Sequence, residues 1–204
     1  TFTATPVNGG SIPSYQWYNG STPVGTDSPT FVTSSLADGD VITVVMTSSE
    51  QCQSGGPATS NSITMTVRPP FTSPVAASSQ VLCFGTFATS LTATPATGGS
   101  GPYGYQWQSS PDGTTNWADI TGETGLTYAP GLMFATSYFR VVATDNGIPS
   151  CGSENSNVVT ITVNDPIAAP FASTSQTICN NTVPALITAT QASGGTGPFI
   201  YQWQ

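Results

Sequence analysis

Residues 91–108 read LTATPATGGSGPYGYQWQ, and residues 187–204 read ITATQASGGTGPFIYQWQ. The two stretches are 96 positions apart, and the similarity extends upstream, so that 15 of 29 positions are identical between 80–108 and 176–204. A weaker copy, TATPVNGGSIPSYQW, occupies residues 3–17. Self-similarity at a fixed period is typical of an array of similar structural units.

The segments that follow these copies repeat as well. Residues 60–67 (SNSITMTV) match residues 156–163 (SNVVTITV). Residues 40–48 (DVITVVMTS) align with residues 137–145 (SYFRVVATD). We expect the natural protein to be longer, because a three-strand opening cannot close a two-sheet core. The predicted units are 1–69, a repeat that lacks its first strand; 70–165, a complete repeat; and 166–204, the N-terminal strands of a further repeat.

Short runs with period-two alternation, separated by glycine- and proline-rich turns, make up the predicted complete repeat. No stretch of helix length shows an apolar period of 3.6 residues. Strands at this spacing over about 95 residues predict an all-β fold of tandem Ig-like antiparallel β-sandwiches. The residues predicted to face the core on its two longest later strands are Phe139, Val141, Ala143, Val159, Ile161 and Val163.

One tryptophan recurs at the same place in each copy, two residues after a tyrosine. We predict that Trp17, Trp107 and Trp203 are core residues, because an indole fills the space between two sheets about 10 Å apart. The alternative is an exposed ring that stacks on a sugar. For that function, a polysaccharide-binding module, the candidate aromatic residues are Trp117 and Tyr18.

The ionisable composition excludes several classes of function. The chain has no histidine and no lysine, and two arginines stand against ten acidic residues, for a net charge of −8. This excludes Ser-His-Asp catalysis, histidine metal ligands, lysine Schiff bases and the P-loop lysine. Two positive charges are too few for the phosphate contacts of a nucleic-acid-binding protein. We predict no enzyme activity, no catalytic residue, no cofactor and no nucleic-acid partner.

A calcium site between units is a weaker hypothesis, raised by acidic residues in turns such as Asp145 and Asp165. A regular junction ion needs the same oxygen ligands at every joint. The two linkers differ, since Asn164-Asp165-Pro166 is acidic and Arg68-Pro69-Pro70 is basic and apolar. We therefore predict no bound metal, and no membrane insertion either, because no apolar run approaches the ~20 residues of a spanning helix.

The run from Cys83 through GGSGPYGYQWQSSPDGTTNWADITGETGLTYAP and TSYFRVVATD to CGSENSNVVTITV resembles a known class of repeat. It is similar to the Ig-like and PKD-like repeats of giant cell-surface adhesins of Bacteroidota, such as the mobile adhesin of gliding motility that the type 9 secretion system exports. The resemblance implies an extracellular, surface-attached, thread-like molecule. The implied partners are neighbouring repeats of the same chain, and other copies if the chains form a filament. The first unit departs from the pattern, because it has the shorter QWYNGSTPVGTDSPTF where later units carry the Trp117 segment.

The four cysteines are of two kinds by repeat alignment. Cys83 and Cys179 precede the LTAT or ITAT strand, whereas Cys52 and Cys151 follow the long central strand. One of each kind per unit predicts a disulfide between Cys83 and Cys151, worth roughly 4 kcal/mol in the chain-entropy model. The competing interpretation is a bridge between neighbouring units. It holds if the residues before Cys83 form a full strand, because the two cysteines then lie at opposite poles.

The function predicted from these observations is mechanical: a stalk or filament region of a large surface adhesin that gives reach and strength. A carbohydrate-binding module is one alternative. Another is a self-assembling filament subunit, in which residues 176–183 supply the missing first strand of a unit that starts at Thr3. We also expect Tyr103 to pack against the Pro69-Pro70 linker and stiffen it.

Overall fold

The computed structural model describes residues 1–51 and 56–204. The chain divides into two compact units, Thr1–Pro69 and Pro70–Gln204. The first boundary is the one expected from the repeats, but residues 166–204 stay with the preceding repeat. The described residues are all-β and include no helix, so none of them forms a helix that could span a membrane.

The described residues of the unit Thr1–Pro69 form seven short strands. The central pair is antiparallel and places Trp17 opposite Val44 and Tyr15 opposite Met46. The strands are β1 (Phe2–Thr3), β2 (Ser14–Asn19), β3 (Thr22–Val24), β4 (Thr30–Phe31), β5 (Val41–Thr47), β6 (Ala58–Thr59) and β7 (Ile63–Thr64).

Strands β2 and β5 carry the core of this unit, and β1 and β4 form a separate two-stranded sheet against it. The indole of Trp17 is 3% exposed and stacks on Phe31, with ring centroids 5.9 Å apart. Its Nε1–H donates to the carbonyl of Ser28 at 2.9 Å. The core prediction for Trp17 is confirmed.

The unit Pro70–Gln204 contains eleven strands, all of them before residue 165. They are β8 (Ala76–Ala77), β9 (Gln80–Cys83), β10 (Thr86–Phe87), β11 (Leu91–Ala93), β12 (Tyr103–Ser110), β13 (Ala118–Asp119), β14 (Thr127–Tyr128), β15 (Leu132–Met133), β16 (Ser137–Asp145), β17 (Ser153–Asn155) and β18 (Val159–Asn164).

Two sheets of this unit form a β-sandwich. One has the order β14-β11-β8, and the other has the order β13-β12-β16-β18-β9, with β17 paired to β16. Pairing is antiparallel with one exception, since β9 and β18 run parallel. The predicted antiparallel β-sandwich class is confirmed, and the parallel pair of β9 and β18 is a feature that the sequence did not predict. The first and last long segments of the repeat lie side by side and point the same way, which a two-residue hairpin cannot produce.

Alternation along the strands supplies the core, as the sequence predicted. Trp107 is fully buried, and its Nε1–H donates to the carbonyl of Gly125 at 3.0 Å, so the polar end of the ring is satisfied. The ring lies 5.9 Å from that of Tyr128, which belongs to the other sheet. The buried residues that surround it are Ala76, Leu91, Met133, Phe139, Val141, Val159 and Ile161.

Residues 166–204 repeat the local hydrogen bonds of the first half of the preceding repeat. The Gln80 side chain donates to the Thr89 carbonyl at 2.9 Å and accepts from its N–H at 2.8 Å. Gln176 does the same with Ala185, at 3.0 and 2.8 Å. The bridge between Ala76 and Ala93 likewise recurs 96 positions later, as an isolated bridge.

The core prediction for Trp203 is wrong. This indole is 62% exposed, although Trp107 at the equivalent position is fully buried. Ile187 is 52% exposed, whereas its counterpart Leu91 has no exposed surface. The physical reason is that the strands that cover Trp107, β14, β16 and β18, have no counterpart against residues 166–204 among the described residues.

The two tryptophans form a matched pair for a stability test. We expect Trp107→Ala to lower the free energy of unfolding by about 3–5 kcal/mol, because it leaves a cavity between two sheets. We expect Trp203→Ala to change it by about 0.5 kcal/mol or less, because the ring is already in solvent. Chemical denaturation followed by circular dichroism measures both. Equal losses from the two variants would contradict the assignment of one buried and one exposed indole.

Candidate functional site

The parallel contact between the first and last segments of the complete repeat is its most distinctive structural feature. Residues 76–84 run alongside residues 157–164, and we call these two segments the terminal clamp. Four residue pairs of β9 and β18 face each other, from Gln80 opposite Ile161 to Cys83 opposite Asn164. The contact joins the entry of the repeat to its exit.

Hydrogen bonds at both ends of the strands extend the terminal clamp. At one end, Phe84 N–H donates to the carbonyl of Asn164 at 3.1 Å. At the other, Thr160 N–H donates to the Ser79 hydroxyl at 3.2 Å. The clamp therefore continues beyond the four residue pairs of the sheet in both directions.

The side chain of Asn157 closes the start of the terminal clamp. Its amide nitrogen donates to the carbonyl of Ala76 at 2.8 Å, and its amide oxygen accepts from Ala76 N–H at 2.8 Å. The side-chain amide therefore makes the pair of hydrogen bonds to Ala76 that the backbone of a neighbouring strand would make in a sheet. Sequence reasoning missed this residue, although the recurring Ser-Asn at the head of SNSITMTV and SNVVTITV was the signal that could have found it.

Asp145 organises the loops at the opposite end of β16. The carboxylate is 1% exposed and accepts backbone N–H bonds from Ser100 at 2.9 Å, Gly147 at 3.0 Å and Cys151 at 3.0 Å. The Ser100 N–H is the largest of the influences that lower the pKa of Asp145 to about 2, against the opposing effect of burial. Gly99 makes room for it, since a Cβ there would lie 2.5 Å from Asp145 Oδ2.

The aromatic residue after the glycine-rich turn lies at the same pole. The ring of Tyr103 is 5.7 Å from that of Phe71, and its hydroxyl donates to the carbonyl of Gly98. Phe71 directly follows the two linker prolines. Stiffening of the joint by Tyr103 stays a prediction.

The outer face of the larger sheet carries the aromatic side chain considered for sugar binding. The guanidinium of Arg140 lies 4.3 Å from the centroid of the half-buried Trp117 ring. Arg140 Nε–H donates to Gln108 at 2.8 Å, and the Gln108 amide donates to Asp119 at 2.8 Å. One face of the indole is thus covered by a cation held in a polar chain, so Trp117 does not present a bare stacking platform. Tyr18, the other candidate, lies half-buried on β2.

A second acidic turn lies at the end of β12, where the sequence predicted a Pro111-Asp112-Gly113 turn. The Asp112 carboxylate accepts from the Thr115 hydroxyl and from the N–H groups of Thr114 and Thr115. These bonds hold the pKa of Asp112 well below its ordinary value, and the bond from the Thr115 hydroxyl has the largest effect. In both acidic turns, the carboxylate oxygens accept hydrogen bonds from N–H or hydroxyl groups of the protein itself. Over residues 1–51 and 56–204, no three acidic or cysteine side chains gather into a possible metal site.

Residues 72–165 match a known family model, that of a domain of unknown function, DUF8696. The matched range lies inside residues 70–165, the repeat predicted to be complete, and contains the whole terminal clamp. Comparison of the chain with curated proteins found no match.

The predicted disulfide between Cys83 and Cys151 is not formed. Cys83 is exposed and free at the Asn164 end of the DUF8696 range, whereas Cys151 N–H bonds Asp145 at the other end. Ser137 and Asp145 are the two ends of β16, roughly 26 Å apart at ~3.3 Å per residue. Bridged Cα atoms lie within about 7 Å, so the opposite-pole geometry that the sequence left open is the one observed. Cys52 lies outside the described residues, and Cys179 is exposed and free.

Acid titration tests the role of Asp145. Its pKa is lowered in the folded state, so its stabilising contribution is complete above its ordinary value of 3.8 and is lost as the pH falls through about 2. We expect Asp145→Asn to lower the melting temperature at pH 7. We also expect the variant to show a smaller further decrease than the wild type between pH 4 and pH 2. For Asp112→Asn we expect a change in the same direction, because hydrogen bonds lower the pKa of that carboxylate too. Parallel melting curves for wild type and Asp145→Asn across this range would contradict the prediction.

Substitution of Cys83 tests the corrected disulfide assignment. We expect Cys83→Ser to change the free energy of unfolding under non-reducing conditions by about 0.5 kcal/mol or less, as for an exposed surface residue. An intact bridge to Cys151 would instead cost roughly 4 kcal/mol on removal. Thiol labelling of the native chain provides the control, since Cys83 should react without denaturant.

Proposed function

We propose that this chain is part of the structural repeat region of a large extracellular bacterial surface adhesin. Its repeats give reach and mechanical strength between the cell surface and an adhesive part elsewhere. Three features support the proposal: the all-β units with separate cores, the hydrogen bonds that recur at an offset of 96, and the resemblance of the sequence to adhesin repeats. The excess of acidic residues resists non-specific association.

The observation that carries the proposal is the parallel terminal clamp. When the two ends of the repeat are pulled apart, β9 is drawn toward its start and β18 toward its end. Since the two strands point the same way, they must slide past each other along their axes. All four residue pairs, together with the bonds at Asn157 and Asn164, then carry the load at once. An antiparallel pair of terminal strands would open one bond at a time.

A second candidate function, a subunit of a self-assembling filament, stays a prediction from the sequence. The third candidate is a carbohydrate-binding module. It is less well supported, because Arg140 covers one face of the Trp117 ring on which a sugar would stack.

Single-molecule stretching of the chain tests the mechanical proposal. We expect unfolding of residues 70–165 to release roughly 330 Å of extended chain in one abrupt event, at 3.3–3.6 Å per residue. Phe84→Pro should lower the rupture force, because proline lacks the N–H that bonds Asn164.

Phe84→Ala is the matched control, since it removes the same exposed ring but keeps the N–H. Its rupture force should stay close to that of the wild type. Gradual unfolding without a force peak, or equal forces for the proline variant and the wild type, would contradict the mechanical role of the terminal clamp.

A further inference from the structure

The linker between the two compact units carries one of the two basic residues of the chain. Arg68, Pro69 and Pro70 are all exposed, and the boundary between the units lies between the two prolines. Exposed linkers are preferred sites of proteolysis, because the chain there can enter the cleft of a protease in an extended form. A cut in this linker would separate one repeat from the next.

Proteases of the trypsin class cleave after lysine or arginine, since these side chains fill their specificity pocket. The chain has no lysine and only two arginines, Arg68 and Arg140. It therefore offers such a protease two bonds, Arg68–Pro69 and Arg140–Val141. The two bonds are protected in different ways.

The bond after Arg68 is protected by its own chemistry. Its nitrogen belongs to the ring of Pro69, which has no N–H and fixes the backbone angle φ. During cleavage, the catalytic histidine of the protease must deliver a proton to the nitrogen of the leaving segment. The proline ring occupies the space through which this nitrogen is reached. Hydrolysis after Arg68 is therefore blocked, although the linker is exposed.

The bond after Arg140 is protected by the fold. It lies in the middle of β16, where Arg140 is paired with Gln108 of β12. Ser156 holds both backbone polar groups of Val141: its hydroxyl accepts from Val141 N–H at 3.0 Å, and its N–H donates to the Val141 carbonyl at 2.8 Å. Val141 has no exposed surface. A protease reaches this bond only when the repeat opens.

The side chain of Arg140 is engaged as well. Its guanidinium lies 4.3 Å from the centroid of the Trp117 ring, and its Nε–H donates to the Gln108 side chain at 2.8 Å. A trypsin-like protease needs this guanidinium in its specificity pocket. The pocket receives it only after both contacts are broken.

We propose that Pro69 protects the exposed linker from endopeptidases that cleave after basic residues. The other arginine is kept inside a paired strand, so the folded chain presents no bond that such an enzyme can cut. This role belongs to Pro69 and not to Pro70, because only Pro69 supplies the nitrogen of the bond after Arg68. The inference goes beyond the proposed function, since it holds whether or not the repeats carry load.

Limited digestion of the full chain with trypsin tests the proposal, with mass spectrometry of the intact chain and its fragments as the readout. We expect the wild type to stay intact. Pro69→Ala should be cleaved at one bond, after Arg68, into fragments 1–68 and 69–204. Pro70→Ala is the matched control. It removes a proline from the same linker but keeps the Arg68–Pro69 bond, so it should stay intact.

Digestion in urea separates protection by the fold from protection by proline. Once the chain unfolds, β16 is no longer paired, so the wild type should be cleaved after Arg140 and still not after Arg68. Cleavage after Arg140 also reports unfolding in the variants. A folded Pro69→Ala chain is therefore cut after Arg68 alone, whereas an unfolded one is cut at both arginines.

Cleavage of the folded wild type after Arg68 overturns the proposal, and cleavage of the folded wild type after Arg140 overturns the protection by the fold. A Pro69→Ala chain that resists trypsin also overturns the proposal. So does a Pro70→Ala chain that is cut as fast as Pro69→Ala, because another feature of the linker then gives the protection. None of these results depends on the rupture force of residues 70–165. A failure here and a failure of the stalk function are therefore distinguishable.

Discussion

The indole of Trp107, held between two sheets with its N–H on the carbonyl of Gly125, is the interaction on which the complete repeat depends. The ring fills the centre of the sandwich, and the hydrogen bond from its one polar atom holds the loop that contains Gly125. The same arrangement holds Trp17 to Ser28 in the first unit. A buried N–H without a hydrogen-bond acceptor lowers stability. Burial of the ring therefore requires both the two sheets that enclose it and the loop carbonyl that accepts its N–H.

Residues 166–204 repeat part of the local hydrogen-bond pattern of the complete repeat. The Gln176 side chain, the bridge at Ala172 and the bond from Ala192 N–H to the Tyr201 hydroxyl all form as in the complete repeat. Turn residues and neighbouring backbone groups, which the two segments share, account for these bonds.

One side chain joins the start of the complete repeat to its end. The amide of Asn157 donates to the carbonyl of Ala76 and accepts from its N–H, both at 2.8 Å. These bonds continue the parallel contact of β9 and β18 toward the start of the repeat. The proposed mechanical function therefore depends on a side chain as well as on the backbone bonds of the sheet.

The sequence by itself determined the all-β class, the repeat boundary at Pro69 and the inward faces of the long strands, because turn residues and period-two alternation act locally. It could not determine which strands become neighbours. Alternation says that Val159 points inward, but not that β18 lies parallel to β9, and that pairing places Cys83 far from Cys151. Only the tertiary structure decided the exposure of Trp203 and the clamp at Asn157, since burial and side-chain bonds of this kind depend on residues distant in the chain.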